Sequence, residues 1–296
     1  MTAMSPVTPQ RDLSLLTRPS GAFAMLAVDQ REAMRNMFAE HQQGPVADDQ
    51  VTSFKLAAAR ILSKYASGVL VDKQFAFDRV VEEQAVAPGC GLIAAADHFI
   101  PAHGEVVGEV QIDSAVVPDE VKAQGAVALK LLIIYRPDGD PGERISMVEE
   151  FLDRCHSAGL ISIIEPVSRK PVDGRPWSWD EGVIAAAKEL GSLGADLYKA
   201  EVPLHGQGDG DEIRHRCSTL TKLISSPWVV LSSGVPHDDF PRAVELACRE
   251  GASGFLAGRA VWASVIGSDD IERDLHDVSV PRLQRLCEVV DAAVRS

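Results

Sequence analysis

A lysine lies inside a strand-like segment, Ala195-Asp-Leu-Tyr-Lys-Ala-Glu-Val-Pro203. Leu197, Lys199 and Glu201 alternate with Tyr198, Ala200 and Val202. Side chains two apart share a strand face, so a cation and an anion point the same way. A strand covered on both faces in a parallel sheet reads as a near-continuous apolar run, and an unpaired buried charge is costly. Lys199 is therefore either half of an ion pair with Glu201 or a reagent. A desolvated lysine has a lowered pKa and becomes an amine nucleophile, the partner a ketone needs to form an imine. A second cation, Lys130, interrupts the run Ala-Leu-Lys-Leu-Leu-Ile-Ile-Tyr at 128–135. Its ammonium and burial both disfavour protonation of Lys199. Imine chemistry also needs an acid to protonate the departing carbinolamine hydroxyl. Glu165 in Ile163-Ile-Glu-Pro-Val167 and Asp29 in Val-Asp29-Gln30-Arg31 are the carboxylates placed for that work.

These residues need a scaffold that brings strand ends together. Strand-like segments recur at about 23–29, 68–72, 91–97, 126–135, 160–167, 195–203, 228–234 and 254–258, with helical patterns between them. The clearest helix is 141–158, with Ile145, Val148, Phe151 and Leu152 on one stripe and Gly159 as its stop. Helices are also expected at 181–193, at 240–250 and at 271–294, the last broken near Pro281. Eight βα units predict a single-domain (β/α)8 TIM barrel over 19–296. A doubly wound open sheet is disfavoured because no Gly-rich fingerprint follows the first strand. The first 18 residues read as a loose tail, and 98–117 as a long loop.

In such a barrel the C-terminal strand ends carry the chemistry. Asp72 and Asp97 also sit at strand ends and are read as helix N-caps, the commoner role of Asp at a βα junction. Ser232-Ser233-Gly234 and Gly258-Arg259, in the last two strand-end loops, form an expected anion site. Histidines show no HxH or HExxH spacing, so no metal is expected.

Composition narrows the partners. The chain has 296 residues, a formal charge of −14 and 46% hydrophobic residues. That charge argues against nucleic acid or an anionic membrane. Five separated cysteines suit a reducing cytoplasm and give no disulfide framework. No signal peptide or membrane-spanning run is evident.

Taken together, five blocks are recognisable: Gly21-Ala-Phe-Ala-Met-Leu-Ala-Val-Asp-Gln-Arg-Glu-Ala-Met34, Ile163-Ile-Glu-Pro-Val167, Ala195-Asp-Leu-Tyr-Lys199, Leu231-Ser-Ser-Gly-Val235 and Gly251-Ala-Ser-Gly-Phe-Leu-Ala-Gly-Arg-Ala-Val-Trp-Ala-Ser264. The chain resembles the class I (Schiff-base) aldolases of the tagatose-bisphosphate aldolase type, and within them the sulfofructose-1-phosphate aldolases of sulfoquinovose breakdown. The resemblance implies Lys199 as the imine lysine. It implies Asp29, Lys130 and Glu165 as its polar support, and the Ser233 and Arg259 loops as the seat of a dihydroxyacetone phosphate end. It also implies no cofactor and a homo-oligomer. The expected reaction is retro-aldol cleavage of 6-deoxy-6-sulfofructose 1-phosphate to dihydroxyacetone phosphate and 3-sulfolactaldehyde. Gln30 and Arg31 are the candidates for the sulfonate, and Glu201 is a further candidate substrate contact. Tagatose- or fructose-bisphosphate cleavage is the alternative within enzymes. A non-catalytic sugar-phosphate-binding regulator is the alternative outside them. The chain departs from the family pattern at Lys73, where glutamine is usual, at His205, where tyrosine is usual, and in the basic loop Arg169-Lys170…Arg175, all expected near the far end of the substrate.

Overall fold

The structure, a computed structural model, describes residues 11–294. Its strands in chain order are β1 (Phe23–Val28), β2 (Gly68–Asp72), β3 (Gly91–Ala95), β4 (Asp97–Ala102), β5 (Glu105–Ile112), β6 (Ala126–Tyr135), β7 (Ile161–Ser168), β8 (Leu197–Glu201), β9 (Trp228–Leu231) and β10 (Gly254–Ala257). The order β1-β2-β3-β6-β7-β8-β9-β10 closes on itself, because β1 pairs in parallel with both β2 and β10. This is the (β/α)8 barrel, and the closure rules out the open sheet. Apart from the outer part of β6, the barrel strands are buried throughout, as expected when helices cover one face and a packed interior fills the other.

Two apolar cores follow from the two strand faces. The inner one fills the barrel with Phe23, Met25 and Ala27 of β1, Leu70 of β2, Ile93 and Ala95 of β3, Ala128 of β6, Ile161 and Ile163 of β7, Leu197 of β8, Val229 of β9 and Leu256 of β10. The outer one joins the opposite strand faces to the helices. The helix Pro141–Ala158 is built as its sequence suggests. Asp140 caps it by accepting from Gly142 N at 2.7 Å, proline follows at the first turn, and Gly159 ends it at φ +69°.

Two expectations are corrected. Residues 11–18, expected to belong to a loose tail, are docked, and residues 1–10 lie outside the described residues. Leu16 is fully buried in the inner core and plugs the N-terminal mouth of the barrel. Gly68 and Gly91, at the starts of β2 and β3, make room for it. A Cβ on Gly91 would lie 2.6 Å from Leu16 Cδ2 and from Leu15 O. Arg11 pairs with Asp196 at 2.7 Å and Arg18 with Asp291 at 2.8 Å, tying the segment to the barrel and to the last helix.

The expected loop at 98–117 is instead mostly the antiparallel hairpin β4–β5, with Asp97 opposite Ile112. Its turn uses His103 at φ +54° and Gly104 at φ +76°, the two left-handed residues of a tight hairpin turn. Asparagine is the usual residue where His103 stands, so the turn signal was easily missed. The last helix does break near Pro281, as expected, just before it. Ile271–Asp274 runs into a π-helical stretch, Leu275–Ser279, and then into Val280–Ala293 with Pro281 in its first turn. Proline lacks an N–H and clashes with the preceding turn, so the hydrogen-bond ladder slips there.

Leu16 provides a test of the plug. Leu16→Ala should lower unfolding stability by about 2–5 kcal/mol, the range for truncating a buried leucine. Urea denaturation measures it, and an unshifted midpoint would show that the plug contributes nothing.

Candidate active site

The inner apolar positions recur every second residue, and the next position of the same parity in six strands is charged. After Ala27 comes Asp29, after Leu70 comes Asp72, and after Ala95 comes Asp97. After Ala128 comes Lys130, after Ile163 comes Glu165, and after Leu197 comes Lys199. The apolar filling is therefore roofed by one charged layer at the C-terminal mouth.

Lys130 is its centre. Its Nζ lies 2.7 Å from Asp29 Oδ2, 2.7 Å from Asp97 Oδ2 and 3.1 Å from Glu165 Oε2, with no solvent exposure. Lys199 Nζ lies 2.9 Å from Glu165 Oε1. The network continues outward. Arg31 Nη2 donates to Asp97 Oδ1 at 2.9 Å, and Asp72 binds Lys55 and lies 4.0 Å from Arg31 Nε. Four cations (Lys55, Lys130, Lys199, Arg31) thus meet four carboxylates (Asp29, Asp72, Asp97, Glu165). A proton leaving Lys199 keeps this buried set neutral only if it stays within it, and Glu165 is in contact to receive it.

The layer's electrostatics follow from those contacts. Burial alone would raise the Asp29 carboxyl, but the Lys130 and Lys199 ammoniums override it and hold Asp29 well below the usual carboxylate range. Burial alone would lower Lys130, but Asp29, Asp97 and Glu165 outweigh it and hold Lys130 protonated. Lys130 is thus a fixed cation, compensated by carboxylates rather than bare beside Lys199.

A cavity of about 590 Å³ opens above, bordered by Asp29, Gln30, Arg31 and Glu165, by Ser233 and Arg259, and by the β4–β5 hairpin through Phe99. The Phe99 ring lies 4.2 Å from the Arg31 guanidinium carbon. Three buried polar atoms of its lining residues make no hydrogen bond, Gln30 Oε1, Arg31 Nε and Glu165 Oε2, and neither do Ser168 Oγ and Glu201 Oε1 at the ends of β7 and β8. Glu165 Oε2 is near Lys130 but off the line of a hydrogen bond. Unpartnered buried polar atoms are costly and uncommon, and their concentration at one strand-end mouth suits a polar ligand.

Lys199, Glu165, Lys130 and Asp29 thus meet in one network; Asp29 and Glu165 of this set line the cavity, together with Gln30, Arg31, Ser233 and Arg259. Ser232 and Gly234 border a smaller cavity that also touches Arg259. Gly258 serves packing: a Cβ there would lie 2.2 Å from Ala27 O. Glu201 lies under the wall instead of lining the cavity. Its Oε2 accepts from Ser168 N at 2.7 Å, and Arg169 Nη1 stands 3.8 Å from Oε1. Burial pushes Glu201 up to about 7, against the Ser168 N–H and the Arg169 guanidinium.

The reading of Asp72 and Asp97 as simple caps is corrected. Asp97 accepts from Lys130, Arg31 and Leu132 N, and caps nothing. Asp72 does accept from Phe75 N, but its other oxygen holds Lys55. Parity with the inner apolar residues would have placed both inside. Lys55 was missed as well; the signal was a lysine amid the apolar stretch Phe-Lys-Leu-Ala-Ala-Ala of the helix Asp48–Leu62. Of the departures, Arg169 reaches the main cavity. Lys73 pairs with Asp78 at 2.5 Å. His205 stacks on Trp179 at 3.7 Å and its Nδ1 lies 3.3 Å from Ser233 O, so it braces the loop of Ser232, Ser233 and Gly234 and does not line the main cavity. Among the described residues no group of three or more His, Cys, Asp or Glu is placed to hold a metal ion, and no helix is long and apolar enough to cross a membrane.

Two outcomes test this electrostatic layer. Lys130→Met leaves three buried carboxylates without their shared cation and should cost about 3–5 kcal/mol in denaturant unfolding. Glu201 has a folded pKa above its unfolded one, so its contribution is fully present below about 4.5 and is lost as pH rises through about 7. Glu201→Gln should therefore gain stability relative to the parent between those values and hold the gain above pH 7. Parallel pH–stability curves for the two proteins would contradict it.

Comparison with known proteins agrees with this geometry. The family model for DeoC/LacD family aldolases matches residues 23–264. A tagatose 1,6-diphosphate aldolase of Listeria monocytogenes serotype 4b (strain CLIP80459) is 27% identical over 285 residues, covering 86% of this chain and 81% of its own. Tagatose 1,6-diphosphate aldolase 1 of Streptococcus pyogenes serotype M3 (strain SSI-1) is 27% identical over 281 residues, covering 83% and 82%. Among solved structures, an archaeal fructose 1,6-bisphosphate aldolase shares the fold with a TM-score of 0.64 at 18% identity, over 95% of this chain and 98% of its own. A second structure, of an archaeal fructose-1,6-bisphosphate aldolase with its catalytic lysine covalently bound to the carbinolamine intermediate, gives 0.62 at 17% identity, over 94% and 98%. With the match running across the barrel from β1 past β10, the chain belongs to the DeoC/LacD aldolase family and is a class I aldolase.

Proposed function

We propose that this aldolase cleaves 6-deoxy-6-sulfofructose 1-phosphate to dihydroxyacetone phosphate and 3-sulfolactaldehyde, with Lys199 as the imine-forming residue. The observation that carries the chemistry is the Lys199–Glu165 contact of 2.9 Å beside the compensated cation Lys130. Glu165 takes the proton from the Lys199 ammonium. The free amine attacks the C2 ketone, one of its N–H protons passes to the alkoxide so formed, and Glu165 gives its proton to the resulting carbinolamine hydroxyl, which leaves as water and leaves the iminium. Glu165 is then an unprotonated carboxylate facing the C4 hydroxyl. It removes that proton, the C3–C4 bond breaks, and its electron pair passes into the iminium. Sulfolactaldehyde leaves, the enamine is protonated at C3, and hydrolysis frees dihydroxyacetone phosphate and Lys199. Asp29, held ionised by two ammoniums, is a poor base and stabilises the developing iminium electrostatically.

The choice of sulfonate rests on charge. Arg31, at the hairpin side of the cavity, is already shared by Asp97 and Asp72. Arg169 has Glu105 and Glu201 each at 3.8 Å. Cations so compensated suit a monoanion better than a phosphate dianion. The tagatose 1,6-diphosphate aldolases among the relatives support a second reading, a bisphosphorylated ketose. Cleavage of the two ketoses assayed side by side decides between them. A kcat/KM higher for the bisphosphate would overturn the sulfonate.

Lys199→Arg keeps a cation but cannot form an imine. It should abolish both cleavage and borohydride trapping with dihydroxyacetone phosphate while the circular dichroism stays that of the parent. A reducible adduct that persists and maps to Lys130 would reverse the two lysines. Arg31→Ala should lower kcat/KM for the sulfonated ketose at least tenfold, equivalent to about 1.4 kcal/mol, and leave trapping of the three-carbon ketone phosphate nearly intact. Equal losses in both would make Arg31 a structural residue.

A further inference from the structure

Arginines in this acidic chain are almost all neutralised locally. Among the described residues only Arg242, Arg259 and Arg282 have no carboxylate oxygen within 4.0 Å, and Arg242 donates to the Gly206 and Gly208 carbonyls. Arg259 and Arg282 border one cavity of about 310 Å³ beside the ends of β9 and β10. Arg259 also borders the main cavity, so it stands at the boundary between the two. Arg282 comes from the last helix, Val280–Ala293, distant in sequence from every strand-end loop. It is half-buried, and its Nη1 donates to Ser264 Oγ at 2.5 Å, which fixes the guanidinium. Ser232 and Gly234 line the same cavity.

Two uncompensated guanidiniums on one small cavity repel each other, and a chain carrying −14 has carboxylates to spare for pairing them. An anion with two charges and several acceptor oxygens removes that repulsion and satisfies both planar forks. We propose that the phosphate end of the ketose is held by Arg282 together with Arg259, and that Arg282 is the residue that reserves this end for a dianion. This rests on the reading of the main cavity as the seat of a ketose phosphate. It also sets the direction of the substrate. The dianionic phosphate lies toward the last helix, and the opposite end lies under the hairpin, where Arg31 is already shared by two carboxylates.

The test uses the intact protein and three variants, Arg259→Ala, Arg282→Ala and Arg282→Lys. Half-saturation of borohydride trapping is measured with dihydroxyacetone phosphate and with dihydroxyacetone, and inorganic phosphate binding is titrated by calorimetry. Arg282→Ala should raise the half-saturation for dihydroxyacetone phosphate at least tenfold and weaken inorganic phosphate in parallel, with the rise confined to the phosphorylated ketone. Arg282→Lys, which keeps the charge, should recover part of both. Arg282→Ala values equal to the parent's for both phosphate ligands would overturn the proposal. So would an equal loss with dihydroxyacetone, the mark of a general structural effect. If the parent traps neither ketone, the imine reading fails, and the calorimetric titration of Arg282→Ala against the parent still decides the arginine pair.

Discussion

The site depends on one ammonium placed where water cannot reach it. Lys130 sits in the middle of a barrel, and three carboxylates from three different strands close on it. A buried charge of either sign is tolerable only when its partners are in contact. Lys130 therefore fixes where β1, the end of β3 and β7 place Asp29, Asp97 and Glu165 relative to one another. Glu165 is held between this fixed cation and Lys199, one oxygen to each. That double engagement couples the proposed proton acceptor to the proposed nucleophile.

The arrangement needs a dry floor and a covered mouth. The floor is the inner apolar filling, sealed at the far end by Leu16, with glycines at the starts of β2 and β3 where any Cβ would strike it. The cover comes from the β4–β5 hairpin, which begins with Asp97 and lays Phe99 across Arg31. The same two-residue step along the chain therefore supplies a carboxylate to the buried network and an aromatic face to the cavity wall. A low-dielectric surround strengthens the interactions that remain.

Charge is distributed unequally between the two ends of the cavity system. Toward the hairpin, Arg31 is matched by Asp97 and Asp72. Toward the last helix, Arg259 and Arg282 are matched by no carboxylate within salt-bridge reach among the described residues. The proposed reading of a substrate whose two ends differ rests on this asymmetry. In an aldolase family whose fold is common to several substrates, recognition of this kind resides in the side chains at the strand ends and not in the barrel.

Much of this was legible in the chain itself. The alternation of strand-like and helical segments determined the barrel. Lysines at 130 and 199 inside apolar runs marked the chemistry, because no exposed strand needs that pattern. The period of two also contained Asp72 and Asp97, but a capping role explains an aspartate at a strand end equally well, and only the closure of the barrel turned both inward. What the sequence could not determine is who meets whom across it. Lys55 and Asp72 are 17 residues apart, Arg31 and Asp97 are 66 apart, and Ser264 and Arg282 belong to different helical segments. Those distances are set by barrel curvature and helix packing, which sum many weak contacts that no local pattern encodes. The docking of residues 11–18 has the same origin, since four residues of 3-10 helix, Leu13–Leu16, have no reason to order until the barrel mouth exists to receive Leu16.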